Sequence, residues 1–306
     1  MIALRSFAKI NLGLEITGRR ADGYHTLRTI FQTIDLSDRL ELRETRTPRI
    51  RLHGSDPRIP WDDSNTVARA CRLVYGNFAL RRGFDITVRK NIPPGAGLGG
   101  GSGNAAVMLL FLDRYFSLDI PAAQMQEMAT SLGADVPFFL RGGTALGEGI
   151  GEIVTPLPAF RQRVIALYMP AAPVSTALVF SRFRLTKAPF PSKIQLFLRK
   201  GDFSILQNDL EKVTFGLFPE IGGIKEKMSR GGCSFVQMTG SGSAVFGIGP
   251  KRALTALPGI LPGTILIRPI ARKFYQENIG VSPSGKASAF GADIRRFESS
   301  RPRKIT

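Results

Sequence analysis

The stretch Lys90 to Asp113, KNIPPGAGLGGGSGNAAVMLLFLD, limits what this chain can fold into more than any other. Two prolines stiffen its approach, six glycines fall between Gly95 and Gly103, and an Ala- and Leu-rich apolar run follows. An ordered glycine loses more backbone entropy than any other residue, so packing does not explain such a loop. What it offers is backbone N–H groups with no side chains in front of them, opening onto a helix N-terminus with its partial positive charge. That arrangement holds phosphate. A Walker loop would need G-x-x-x-x-G-K-[ST], and no Lys follows the glycines. A dinucleotide fingerprint would need a strand running directly into G-x-G-x-x-G, and here Pro93 and Pro94 intervene.

A chain of 306 residues suits two domains or one large one, and 43% hydrophobic with 22% charged residues is ordinary for a globular protein. No apolar run approaches the roughly 20 residues of a membrane helix. The N-terminal MIALRSFAKINLGL has no small-residue cleavage site and does not read as a secretion signal. Cys71 and Cys233 sit in apolar or small-residue settings and read as buried thiols of a reducing cytoplasm. Two histidines and two cysteines, widely scattered, do not make a zinc site. The net charge of +18 is dispersed, with no basic helix and no interleaved stacking aromatics. An electropositive surface steers a polyphosphate substrate as well as a nucleic acid. A small-molecule substrate, no nucleic acid and no membrane partner are expected, with the protein a monomer or homodimer.

Alternation predicts strands at Ile2–Phe7, Asp38–Glu44 and Phe84–Lys90, and residues 18–29, GRRADGYHTLRT, read as a polar turn-forming segment. Ser64 is a candidate N-cap for a helix whose inner face is Val67, Cys71 and Val74. A helix follows the glycine loop, and Pro121 is placed to begin another that ends near Gly133. Val164–Met169, Ala244–Ile248 and Thr264–Arg268 read as strands, Asn208–Gly216 and Pro219–Arg230 as helices. Strands and helices mix without strict alternation, which favours a two-domain α+β protein over a doubly wound sheet. Two more glycine-bearing segments stand out, GADVPFF at 133–139 and TGSGSAVF at 239–246.

Several side chains carry two readings each. Lys9, inside the apolar Ala8-Lys9-Ile10, either extends its ammonium to water or is held for chemistry. Asp135, against Val136-Pro137-Phe138-Phe139, is an N-cap or turn former, or else a functional carboxylate. Tyr24 and His25, after the Asp22-Gly23 turn, are a surface pair or a recognition pair, and Phe180 is an ordinary core residue or a stacking one. Asn65 is a second capping residue beside Ser64 or a ligand contact.

The three glycine-bearing segments, in this order, resemble those of the GHMP kinase superfamily. SFAKINLGL followed by GRRADGYHTLRTIFQTIDLSDRLEL resembles, within it, the kinases of the non-mevalonate isoprenoid pathway, and the likeness runs over roughly residues 3–270. The resemblance implies ATP- and Mg2+-dependent phosphorylation of the 2-hydroxyl of CDP-methylerythritol in the cytoplasm. It also implies an N-terminal domain like domain 2 of ribosomal protein S5, taken as 1–186, and a ferredoxin-like C-terminal domain, taken as 187–272. It makes Lys9 and Asp135 catalytic, and assigns ATP to Asn65 and to Pro94, Gly95, Ala96, Gly97, Leu98, Gly99, Gly100, Gly101, Ser102, Gly103 and Asn104. Asn11, Tyr24, His25, Thr176 and Phe180 fall to the substrate, with the Tyr24 ring stacking on cytosine and His25 hydrogen-bonding its edge. Gly103 stands where the family has a second Ser, so a hydroxyl able to contact phosphate or the magnesium shell is expected to be missing, and no metal ligand is assigned. A homoserine- or mevalonate-type kinase of the same superfamily, and a basic nucleic-acid-binding protein, are the competing readings.

Beyond 272 the resemblance fades, and 273–306 is expected to be a disordered tail. Arg296-Phe297-Glu298-Ser299 can be encoded by cgg-ttc-gaa-tcc, the T-arm consensus of transfer RNA genes. Residues 280–302 therefore read as a frame running into an adjacent transfer RNA gene, the alternative being a genuine flexible basic tail.

Overall fold

The N-terminal strand does not stop at Phe7. It continues into an 18-residue strand, β1 (Ile2–Arg19), which pairs antiparallel with β2 (His25–Thr45) from Ile2↔Leu42 to Arg19↔His25. Only residues 20–24 of the expected turn-forming segment form the turn. The strands run on to its edges because Leu14, Ile16 and Leu27 are buried in one cluster with Val174, Val179 and Leu210 from the second half of the chain. The structure, a computed structural model, describes residues 1–162, 164–185 and 192–279.

The chain continues through β3 (Ile50–Gly54), α1 (Thr66–Asn77), β4 (Gly83–Arg89), α2 (Gly100–Phe116), α3 (Ala122–Leu132), α4 (Val136–Phe139), β5 (Thr144–Glu148) and β6 (Ile153–Pro156). Next come β7 (Ile165–Tyr168), α5 (Thr176–Arg182), α6 (Lys193–Lys200), α7 (Glu211–Leu217) and α8 (Pro219–Arg230). The last elements are β8 (Phe235–Met238), β9 (Val245–Ile248), α9 (Lys251–Ile260), β10 (Ile265–Ile267) and α10 (Arg272–Asn278). The first sheet runs β3-β4-β2-β5-β6, with β1 also on β2, and only its β3–β4 pair is parallel. The second is antiparallel, β10-β7-β9-β8. This is a mixed α+β architecture, as the order of elements implies, and its strands form two sheets. The expected boundary at 187 lies outside the described residues.

Three layers of core follow from the two-residue period of the strands. Ile10, Leu12, Ile30 and Ile34 of the first sheet meet Ile165, Leu167, Phe246 and Ile248 of the second, so the sheets pack face to face. Outside the first sheet, Leu40, Phe84 and Ile86 pack against α1, α2 and α3 through Cys71, Leu109 and Met128. Outside the second, Ala166 and Val245 pack against α8 and α9 through Ile224, Met228 and Leu257. The middle of β1 is thus covered on both faces and is buried continuously from Ser6 to Ile16. Burial pushes the free thiols up, Cys71 to about 12 and Cys233 to about 11, so both are inert. Among the described residues, no helix is long and apolar enough to cross a membrane.

Two sequence expectations need correction. The N-cap of α1 is Asn65, whose side-chain oxygen accepts from Val67 N at 2.9 Å, while the Ser64 hydroxyl donates to Asp62 Oδ1. The fold also does not end at 272. Helix α10 returns to the first core, where the Tyr275 ring is fully buried and its hydroxyl donates to Phe139 O at 2.5 Å. Residues 280–302, the suspected transfer RNA read-through, lie outside the described residues.

Gly142, at φ +61°, lets the chain pass under that ring: a Cβ there would stand 2.4 Å from Tyr275 Cγ. Tyr275→Ala should therefore cost about 3–5 kcal/mol by urea denaturation, from a lost ring and a cavity beside α4. A loss under about 1 kcal/mol, the range of surface substitutions, would mean that α10 is only loosely attached.

Candidate active site

The glycine loop joins β4 to α2 and adopts left-handed backbone at alternate positions, with φ +69° at Gly95, +73° at Gly97 and +69° at Gly99. Gly97 is forced by contact as well as by conformation, since a Cβ would stand 2.2 Å from Thr239 O. Helix α2 begins without a side-chain cap and without an acidic residue in its first turn. Its first intrahelical bond runs from Gly103 N to Gly99 O, which leaves the N–H groups of Gly100, Gly101 and Ser102 for a ligand. Fixed donors and a positive helix end meet at one place, suited to an anion.

Beside this cradle lies Lys9, on β1 and 3% exposed. Its Nζ donates to Asn11 Oδ1 at 2.7 Å and pairs with Asp135 Oδ2 at 3.2 Å. Its aliphatic chain does not reach bulk water, because both faces of β1 are covered. The Asp135 side chain is 32% exposed. Although Asp135 stands at the N-cap position of α4, its side chain makes no capping hydrogen bond, so the carboxylate is free to face the cleft. Asn11 holds Lys9 in place. Its Oδ1 also accepts from the Thr239 hydroxyl at 3.2 Å, its Nδ2 donates to Thr29 Oγ1 at 2.8 Å, and its backbone N–H donates to Thr239 Oγ1 at 2.9 Å. Thr239 Oγ1 is also 3.2 Å from Gly97 O. One hydroxyl from the third glycine-bearing segment therefore ties the lysine support to the phosphate cradle, and Ala244 N→Ala96 O at 3.1 Å docks that segment onto the loop.

A cleft of about 1090 Å³ connects these groups, and every residue expected at the site except Gly103 lines it. At the end away from the glycine loop, His25 packs between Phe180 and Phe183, with ring centroids at 5.5 and 5.7 Å. Burial first, and then the Arg19 charge, lower the His25 pKa, so its ring is neutral at neutral pH and can both donate and accept. Tyr24 is 63% exposed beside it. The Thr176 and Ser241 hydroxyls are 2.8 Å apart between the aromatic end and the loop. Asn65 caps α1 through Val67 N and donates to Pro60 O, and it also lines the cleft.

Gly103 differs from expectation. It faces the sheet, where a Cβ would stand 2.9 Å from Ser6 Oγ and 3.0 Å from Phe7 O. A serine hydroxyl here would meet β1 and not the cleft. What its absence leaves is Ser6 Oγ, buried without a hydrogen-bond partner. Sequence reasoning gave no role to Thr239, Gly240, Ser241, Trp61, Lys90 or Phe183. TGSGS was the signal for the first three, Lys90 opens the glycine stretch, and nothing local marks Trp61 or Phe183.

Thr239→Val keeps the shape and strands the buried Asn11 N–H, so it should cost about 1–3 kcal/mol of stability, with Thr239→Ser restoring most of it. Equal denaturation midpoints for Val and wild type would mean that the hydroxyl contributes nothing.

Family models describing the N-terminal domain and the C-terminal domain of GHMP kinases match residues 65–143 and 195–257. A 4-diphosphocytidyl-2-C-methyl-D-erythritol kinase of Clostridium beijerinckii is 38% identical over 252 residues, 80% of this chain and 90% of that one. Its counterpart in Geobacter metallireducens is 40% identical over 249 residues, 81% of this chain and 89% of that one. A crystal structure of 4-(cytidine 5'-diphospho)-2C-methyl-D-erythritol kinase superposes with a TM-score of 0.75 at 33% identity, covering 88% of this chain and 99% of that one. With relatives of this identity matched along nearly their whole length, and a two-sheet fold to go with them, the chain belongs to the 4-diphosphocytidyl-2-C-methyl-D-erythritol kinase family of the GHMP kinases.

Proposed function

We propose that the protein transfers the γ-phosphoryl group of ATP to the 2-hydroxyl of 4-diphosphocytidyl-2-C-methyl-D-erythritol, in the cytoplasm. The observation that carries this is the Lys9–Asp135 pair at 3.2 Å, standing in one cleft with the glycine cradle and the aromatic cluster of His25 and Phe180. Phosphoryl transfer to an alcohol needs a cradle for the donor phosphates, a cation against the charge in flight and an acceptor for the hydroxyl proton. The orphan N–H groups of α2 serve the first need. An ammonium has three donors, and Asn11 and Asp135 take two from Lys9, leaving one for the phosphoryl oxygens. Asp135 takes the proton. It need not be a strong base, since a loose transition state requires little early deprotonation.

The neutral His25 hydrogen-bonds the cytosine edge, Tyr24 stacks on its ring, and Phe180 holds His25 in place. A homoserine- or mevalonate-type acceptor has no use for this aromatic end. Among the described residues no group of three His, Cys, Asp or Glu side chains could hold a metal ion. A magnesium ion bound with the nucleotide would neutralise phosphate charge. The net charge of +18 draws polyanionic substrates to the cleft.

ADP release measured with the cytidine substrate, homoserine and mevalonate offered separately should appear with the first alone; turnover with either of the others in its place would overturn the assignment. Asp135→Asn should lower kcat by about 10²–10⁴-fold and leave ATP affinity within about threefold. Strongly weakened ATP binding would move Asp135 from proton transfer to nucleotide binding.

A further inference from the structure

Trp61 is the chain's single tryptophan, and the reaction as described so far does not use it. It lines the cleft with Ile59, Thr66 and Pro93, on the side where α1 begins. Two contacts fix its indole. The Nε1–H donates to Asp56 O at 2.9 Å, and the ring edge lies over Gly54, where a Cβ would stand 1.9 Å from Cζ2. The turn that carries it is held in its own right. Asp56 accepts from Arg58 at 2.9 and 2.7 Å, which lowers its pKa to about 2, and Ile59 N donates to Asp56 O at 3.3 Å.

With its one polar atom engaged, the ring offers the cleft π surface and nothing else. Asn65, its polar neighbour, is fixed in place by its bonds to Val67 N and Pro60 O. The Thr66 hydroxyl donates to Gly101 O at 3.1 Å, which sets this wall at a fixed place relative to the first turn of α2. An apolar, rigid, half-buried aromatic wall tied to a phosphate cradle suits a flat ring attached to the bound phosphates.

We infer that Trp61 is the stacking platform for the purine of the donor nucleotide, and that stacking area on this ring selects purine over pyrimidine donors. This rests on the assignment of the glycine loop to the donor phosphates. A purine covers more of the indole than a pyrimidine does, and that stacking area carries the discrimination.

The test joins binding to kinetics. In the wild-type protein, ADP should quench the emission of the single tryptophan, and ATP should exceed UTP in kcat/KM by about tenfold or more, the scale of base–aromatic stacking. Trp61→Leu should raise KM for ATP about tenfold at nearly unchanged kcat while leaving UTP within about threefold, and Trp61→Phe should keep most of the purine preference. Unchanged wild-type emission on ADP addition, or a Trp61→Leu enzyme with the wild-type preference, would overturn the inference. A Trp61→Leu chain that fails to fold leaves the wild-type emission to decide. Absence of turnover with the cytidine substrate would count against the kinase assignment instead, and the emission titration reads Trp61 without it.

Discussion

A buried ammonium is the constraint on which the rest depends. Lys9 is 3% exposed on a strand covered on both faces, and a charge so placed is costly unless it is paired and hydrogen-bonded. Asp135 supplies the opposite charge and Asn11 the acceptor. Removing either would leave Lys9 poorly compensated in the interior. Asn11 is in turn held by Thr29 from β2 and Thr239 from the segment between β8 and β9. The pair therefore draws in both sheets and all three glycine-bearing segments before any substrate arrives.

The packing explains why those segments meet. The two sheets are pressed together through Ile10, Leu12, Ile165 and Phe246, which brings the loop after β8 against the loop before α2. Contact at that point is backbone to backbone. Gly97 has room for no side chain because Thr239 O occupies the place of its Cβ. Glycine serves two purposes here: it exposes N–H groups to the ligand, and it lets a second loop close from behind. On the far side of the loop, Phe139 of α4 packs beside Gly99 and Lys9, and the hydroxyl of Tyr275 caps Phe139 O. The last helix of the described chain thus supports the element that begins at Asp135.

Much of this was legible in the residues, and what was not has physical causes. Short-range patterns read well: α8 begins at Pro219 and ends at Arg230 as its proline and basic end imply, and α3 stops at Leu132 before Gly133. Long-range burial did not. β1 has no alternation between Phe7 and Ile16 because it is buried on two faces, so its true length was hidden. The direction in which Gly103 faces is a matter of helix phase, and the family likeness alone made it look like a missing phosphate contact. Tyr275 lies where the family likeness fades, yet its ring is in the first core. Trp61 and Phe183 come to the cleft only through tertiary contacts, Trp61 over Gly54 and Phe183 against His25.

The central claim is that the Lys9 ammonium acts on charge that develops during transfer and contributes little to binding either substrate at rest. Lys9→Met keeps much of the length and removes the charge, so single-turnover phosphoryl transfer can be compared with separately measured affinities for ATP and the cytidine substrate. The account predicts a transfer rate lower by about 10²–10³-fold with both affinities within about threefold. A transfer rate within about threefold of wild type, or a loss that appears entirely in ATP affinity, would contradict it.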